Sequence, residues 1–487
     1  MSTMNLTLLT DLYQLTMMQG YFNNKNNDTV VFDAFYRTNP SGNGFAIAAG
    51  LEQVIDYIKN LHFSPEDIEY LRGLHIFSEP FLEYLTNFKF TGSIYAIPEG
   101  TVVFPKEPLL KVIAPIMQAQ LIETAILNII NHQSLIATKA ARVVYAAKGD
   151  GVLEFGLRRA QGPDAGVYGA RAAMIGGCVG TSNVLAGQKF SVPVSGTHAH
   201  SWIMSFPDEY TAFKEYADLY PNACILLVDT YDTLKSGVPN AIRVFKEMRE
   251  AGIPLTKYGI RLDSGDLAYL SKRARKMLDH AGFQDAIISA SSDLDENLIS
   301  SLKAQGAEIR LWGVGTNLIT SKDQPAFGGV YKLAAIQKED GTFIPKIKLS
   351  ENTAKVTNPG NKTVYRIYDK ETGMLNADLI CLADETFDTT KDLRIFDPIE
   401  TWKKTRYKAG TYEMRELLVE VFRDGECVYE SPSVMEMREY CRKEQDSVWE
   451  ESRRLVNPHE VYVDLSEKLY QMKAQLLEEL STEEDDD

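Results

Sequence analysis

Between about Gly151 and Ser321 the chain repeats one pattern: a short run rich in valine, isoleucine and leucine, then a polar or glycine-rich break. The runs are GVLEFGLRR, FSVPVSGTHAH, ACILLVDTYDT, YGIRLDSGD, AIISASSDLD and LWGVGTN. Between the later ones lie VPNAIRVFKEMREAG, LAYLSKRARKMLDHAG and DENLISSLKAQGA, whose apolar residues recur at three and four, as on one face of a helix. From Asp229 to Asp263 is 34 residues and from Asp263 to Ala290 is 27, each about one strand and one helix. Strands joined through helices run parallel, so an α/β fold follows, with the sheet either closed as a barrel or open and doubly wound.

In such folds the carboxyl ends of the strands, and the loops after them, converge on one face where ligands bind. Here those positions hold Arg158, Arg159, His198, His200, Asp229, Arg261, Asp263, Ser291, Gly313, Gly315 and Thr316. Two histidines, two aspartates and three arginines on one rim suit catalysis better than scaffolding. Helix capping accounts more simply for Asp266, and for Ser291 or Asp293.

The rest of the chain frames this region. Residues 1–140 mix extended VVFDAFYR with the long helical stretch QAQLIETAILNIINHQSLIATKAARVVYAA, apolar nearly all round, and form an α+β N-terminal domain completed by strands from about 335–380. Residues 141–334 form the catalytic α/β domain, and residues 381–487 a C-terminal domain. Ser433 with Glu436 makes a capping box, and Asn457-Pro458 stops the helix it opens. The end of the chain, Glu478 to Asp487, carries seven acids and no base, a solvated terminus.

Charge and cysteine usage bound the partners. Lys+Arg 51 against Asp+Glu 67 gives a net charge of −16, which excludes nucleic acid and anionic membrane as bulk partners. Five cysteines, Cys178, Cys224, Cys381, Cys427 and Cys441, are odd in number and include no C-x-x-C pair, which argues for a reducing compartment. The N-terminus lacks a basic segment before an apolar stretch, and the longest apolar run, Val112 to Thr138, holds Pro115, Glu123 and His132. A cytoplasmic protein without membrane spans is expected.

Two glycine-rich turns, Gly313 to Asn317 and Phe327 to Lys332, allow a backbone to approach a phosphate and present successive N–H groups to it. The strand-end carboxylates Asp229 and Asp263 suit a Mg²⁺-bound phosphosugar, and arginines suit an anionic co-substrate. His198 and His200 also allow a zinc hydrolase reading. After His200, however, only His280 and His459 remain as further histidine ligands, one in a helical stretch and one beyond a helix stop.

TDLYQLTM, EPLLKV, QLIETAILN, EFGLRRAQGPDAG, GTHAHSW, LLVDTYDT, IRLDSGD, GVGTN and FGGVYKL occur in this order. Together they resemble nicotinate phosphoribosyltransferases from about residue 10 to about residue 335, with a compatible C-terminal part. The resemblance implies an irregular α/β barrel with a separate α+β N-terminal domain and a C-terminal α/β extension. It further implies a homodimer with active sites at the subunit interface, no tightly bound organic cofactor, and use of Mg²⁺. The reaction implied makes nicotinate mononucleotide and pyrophosphate from nicotinate and phosphoribosyl pyrophosphate, coupled to ATP hydrolysis, in NAD salvage.

Residue by residue, the resemblance implies that ATP phosphorylates His200. Arg158, Ser201 and Arg261 surround the nicotinate carboxylate, and Tyr13 stacks on the pyridine ring from the partner subunit. Asp229 and Asp263 face the ribose and Mg²⁺, and Gly315, Thr316, Gly328 and Gly329 hold the 5-phosphate. Phe327 replaces the family's usual leucine before the last glycine pair, and His198 receives no catalytic role. A nicotinamide-using relative is the nearest alternative, disfavoured by Arg158 and Ser201, which suit a carboxylate.

Overall fold

A computed structural model describes residues 5–350, 355–400 and 402–482. The chain forms two compact units, one from residues 1–135, 326–432 and 440–487, the other from 136–325 and 433–439. The boundary near 135 falls inside the helix Glu123–Ala146.

The unit around residues 136–325 is built on six parallel strands in the order Gly180–Thr181, Gly151–Glu154, Leu311–Val314, Ile287–Ala290, Tyr258–Leu262, Cys224–Leu227. Leu226, Leu227, Ile260, Leu262, Ile288, Trp312 and Val314 are buried, because helices cover a parallel sheet and leave it no wet face. The helices Val238–Glu250, Leu267–His280 and Glu296–Ala304 occupy the three stretches with helical spacing. In the first of them Val238, Ala241, Val244, Phe245 and Met248 point inward, the expected apolar stripe. Asp266 caps its helix by accepting from the Tyr269 N–H at 2.9 Å, and Asp295 does the same for Leu298 at 2.7 Å.

The run FSVPVSGTHAH does not form the expected strand. Pro193 has no N–H to give a ladder, Ser191 lies in the left-handed region at φ 54°, and the run contributes a single bridge, Val194 to Thr181. The strand beside it is instead the two-residue Gly180–Thr181. This irregular segment nevertheless links the two ends of the sheet. The Ser195 N–H donates to Thr181 O at 2.9 Å, while the Leu227 N–H on the opposite edge strand donates to His198 Nε2 at 3.3 Å. Three residues reach at most about 11 Å, so the sheet curls until its edges stand within a short segment of each other.

The other unit holds a seven-stranded antiparallel sheet in the order Phe343–Pro345, Gly329–Gln337, Thr29–Tyr36, Leu110–Pro115, Ser93–Ala96, Val419–Arg423, Glu426–Cys427. A six-stranded sheet has Tyr462–Leu465 and Leu375–Leu382 at its centre, with Lys362–Asp369 beside the latter. Residues after 381 thus enter both sheets. The capping box is present: the Ser433 N–H donates to Glu436 Oε2 at 2.8 Å and the Glu436 N–H to Ser433 Oγ at 3.3 Å. The helix it opens ends at Asp446, short of Asn457, and a separate turn of helix covers Glu450–Arg453. Glu478 and Glu479 lie on the last helix, Glu467–Thr482; the acids from 483 onward fall outside the described residues. Among the described residues no helix is long and apolar enough to cross a membrane.

One buried ion cluster pins the six-stranded sheet. Arg366, fully buried, donates from Nε to Asp378 Oδ1 at 2.9 Å, from Nη2 to Asp378 Oδ2 at 2.6 Å and to Val102 O at 2.7 Å, and from Nη1 to Glu444 Oε2 at 2.8 Å. Removing one member of such a group leaves the others charged and dry. Arg366→Met is therefore expected to cost about 3–5 kcal/mol of stability, read as a lower denaturant midpoint; a midpoint within error of wild type would refute this.

Candidate active site

The carboxyl ends of three neighbouring strands bring Asp229, Asp263 and Ser291 side by side. Asp229 Oδ2 accepts from the Asp263 N–H at 2.9 Å and from Ser264 Oγ at 2.6 Å. Ser291, buried, donates its hydroxyl to Asp263 Oδ1. Asp263 Oδ2 then lies 3.8 Å from His200 Nε2, and His200 Nδ1 lies 3.0 Å from Thr230 Oγ1. If Nδ1 carries the proton and donates to Thr230, the Nε2 lone pair faces Asp263. The His200 side chain is 39% exposed, open enough to meet a co-substrate.

Asp229 Oδ1 is buried without a hydrogen-bond partner. An orphaned carboxylate oxygen is costly unless something binds it, and a divalent cation or a sugar hydroxyl answers that need. No group of three or more His, Cys, Asp or Glu among the described residues is arranged to hold a metal. That donor set fits magnesium, which binds through one or two carboxylates and fills its remaining positions with water and phosphate oxygens. It does not fit zinc, whose sites take at least three protein ligands. His198 Nε2, needed for the zinc reading, accepts the Leu227 N–H instead.

Arg261 is placed under the rim. Its Nη1 donates to Thr197 Oγ1 and its Nη2 to His198 O at 3.1 Å, leaving a buried Nε without partner. Burial lowers its pKa while Asp263 and Asp229 oppose that shift, and Arg158 is close enough to add to the lowering. Arg158 itself is exposed, in the turn Leu157–Arg159. That turn is held from below by buried Glu154, which accepts from the Gly156 N–H and, at 2.5 Å, from the Thr181 hydroxyl. Ser201 is exposed in the first turn of the helix His200–Met204.

Gly315 and Thr316 begin the short helix after Leu311–Val314. A Cβ on Gly313 would lie 2.6 Å from the Phe155 ring, so only glycine fits there. In the other unit Gly328 is exposed with φ +76°, a conformation that favours glycine. The Gly329 N–H already donates to Asn131 Oδ1 at 3.1 Å. Tyr13 is 48% exposed on the helix Leu12–Asn23. Gln14 and Glu123 hold that helix at 2.9 Å, as do Asp11 and Thr124; burial, with Glu123 and Asp11, raises the Tyr13 pKa.

Sequence reading singled out His200, Asp229, Asp263 and Arg261, and the structure brings these together; Ser291, read there as a helix cap, instead donates to the Asp263 carboxylate. It missed Thr230, Ser264 and Thr197, whose only signal was adjacency to the rim residues. His198 was noted on the rim and given no role. It is buried, and burial, Arg261 and His200 push its pKa down to about 4 from 6.5. Between these values the unfolded chain binds a proton that the folded chain refuses, so stability is complete above about pH 6.5 and is lost on acidification toward about 4. His198→Gln is expected to lose less thermal stability than wild type between those pH values; an identical loss would contradict a neutral buried imidazole.

Residues 151–371 match the Nicotinate phosphoribosyltransferase (NAPRTase) family, residues 8–131 its N-terminal domain and residues 361–473 its C-terminal domain. The nicotinate phosphoribosyltransferase of Bacillus subtilis (strain 168) is 49% identical over 481 residues, covering 98% of this chain and 96% of the relative. That of Homo sapiens is 33% identical over 95% of each. The crystal structure of human nicotinic acid phosphoribosyltransferase superposes with a TM-score of 0.83 at 30% identity, over 96% of this chain and 100% of that one. The nicotinate-nucleotide pyrophosphorylase from Pyrococcus furiosus, at 23% identity and a TM-score of 0.69, shares the fold.

Proposed function

The chain belongs to the nicotinate phosphoribosyltransferase family, and we propose that it forms nicotinate mononucleotide and pyrophosphate from nicotinate and 5-phosphoribosyl 1-pyrophosphate. It does so in NAD salvage, with ATP hydrolysis coupled through a phosphohistidine at His200. The observation that carries this reading is the alignment of Thr230, His200 and Asp263, which offers one histidine nitrogen as a nucleophile beside two strand-end carboxylates. We read the curled parallel sheet as the irregular barrel of the family, and propose a homodimer.

In the transfer step the pyridine nitrogen attacks the anomeric carbon, the bond from that carbon to the pyrophosphate oxygen breaks, and positive charge gathers on the ribose. Asp229 and Asp263 stabilise that charge in place, without reorganising water. Asp229 and Asp263 would hold magnesium, which would supply positive charge to offset that of the leaving pyrophosphate. Arg158 supplies a planar fork to the nicotinate carboxylate, with Ser201 and Arg261 beside it, and Tyr13 of the second copy stacks on the ring. Gly315 and Thr316 hold the 5-phosphate.

In the coupling step His200 Nε2 attacks the γ-phosphorus of ATP and the bond to ADP breaks. Nδ1 keeps its proton and goes on donating it to Thr230 Oγ1, so the phosphorylated ring keeps its orientation. Water later cleaves the nitrogen–phosphorus bond and releases phosphate. The phosphorylated state binds substrates more tightly, and hydrolysis releases products.

Turnover with nicotinate, nicotinamide and quinolinate, each with and without ATP, tests the reading. Nicotinate-dependent mononucleotide stimulated by ATP is expected, and His200→Ala is expected to abolish both the stimulation and ATP hydrolysis; intact stimulation in that variant would remove the phosphohistidine. Arg158→Ala is expected to raise the KM for nicotinate by about 10–100-fold, the loss of one charge-assisted pair. Its thermal midpoint should stay unchanged, and an unchanged KM would give the carboxylate to another group.

A further inference from the structure

His198 stands two residues before His200 and is used by none of the steps above. Ala199 between them is extended at φ −103° and ψ 168°, and the helix His200–Met204 begins directly after it. His200 is open to the rim while His198 is buried at 8% exposure, its ring edge-on to Tyr216 at 4.6 Å.

Three bonds fix this dipeptide. The Leu227 N–H donates to His198 Nε2 at 3.3 Å, Arg261 Nη2 donates to His198 O at 3.1 Å, and Arg261 Nη1 donates to Thr197 Oγ1. Leu227 ends the edge strand Cys224–Leu227, whose one strand partner is Tyr258–Leu262. Its N–H faces away from that ladder, and without the imidazole it would be a buried donor with nothing to meet. The same two strands lead directly into Thr230 and Asp263, the groups at the two nitrogens of His200. The ties therefore sit two and three residues before the reactive ring and join it to the strands that carry its neighbours.

We propose that His198 is a positioning residue for His200: by accepting the Leu227 N–H it fixes the backbone that aims the His200 imidazole between Thr230 and Asp263. The role rests on the reading of His200 as the phosphate acceptor. It asks of position 198 an acceptor at the reach of Nε2, which glutamine Oε1 provides and leucine lacks. It also explains why an irregular segment, with no strand ladder of its own, can hold a reactive ring in register.

The test compares wild type, His198→Leu, His198→Met and His198→Gln in two readouts. One is phosphate incorporation from γ-labelled ATP; the other is the tautomer of His200, read from imidazole ¹⁵N shifts of histidine-labelled protein and assigned with His200→Ala. In wild type Nδ1 carries the proton. In His198→Leu the tautomer preference is lost and incorporation falls about tenfold or more, as misaimed groups do, and His198→Gln restores both. Unchanged tautomer and incorporation in a folded His198→Leu would overturn the proposal. So would a His198→Gln variant that melts like wild type yet behaves like His198→Leu. If His198→Leu does not fold, His198→Met, similar in volume and without a comparable acceptor, takes its place. If wild type takes up no phosphate, the phosphohistidine reading fails while the tautomer comparison still decides the role of His198.

Discussion

The six strands of the unit around residues 136–325 all run one way, and the arrangement of its reactive groups follows from that. A parallel sheet covered by helices excludes polar side chains from its middle, so they collect where each strand ends. Because Cys224–Leu227, Tyr258–Leu262 and Ile287–Ala290 are neighbours in the sheet, the residues just beyond them meet. Asp229 reaches the backbone of Asp263, and Ser291 reaches its carboxylate. Each acid is thereby oriented by the next strand along, and His200 is held among them by a segment that crosses from one edge of the sheet to the other.

That logic was legible in the sequence wherever it had a period. Continuous apolar runs marked strands, three-and-four spacing marked helices, and a polar residue after an apolar run marked the rim, which exposed Asp229, Asp263 and Arg261. Asp266 declared itself as a cap because a helix had to begin there. Gly180–Thr181 escaped, since two residues carry no period. FSVPV misled in the opposite direction, because its alternation ignores what Pro193 removes from a ladder. Thr230 and Ser264 were silent for another reason: a hydroxyl next to an aspartate is common, and only the fold decides which one meets the imidazole. The guanidinium of Arg261 reads in the sequence as an anion receptor, and the sequence carries no sign that two of its donors also hold the main chain and a threonine.

The other unit obeys different physics. Its sheets, one antiparallel and one mixed, join segments far apart in the chain, as where Val419–Arg423 lies beside Ser93–Ala96. Nothing local in either stretch names its partner. Arg366 carries the same lesson in its side chain, since Asp378, Glu444 and the carbonyl of Val102 come to it from three different regions. Buried charge of this kind is specified by the assembled fold and is invisible to any window of sequence.

This difference in chain order bears on synthesis at the ribosome. Residues 136–325 supply all six parallel strands and emerge as one uninterrupted stretch, able to begin collapsing as they appear. The strands Thr29–Tyr36, Ser93–Ala96 and Leu110–Pro115 emerge earlier, yet the strands flanking them, Gly329–Gln337 and Val419–Arg423, are translated hundreds of codons later. Until then the nascent sheet presents unpaired edges, the surface on which strands of other chains add most readily. A premature stop or a long pause in the last third of the message thus leaves the earliest-made part of the protein as the part most in need of a chaperone.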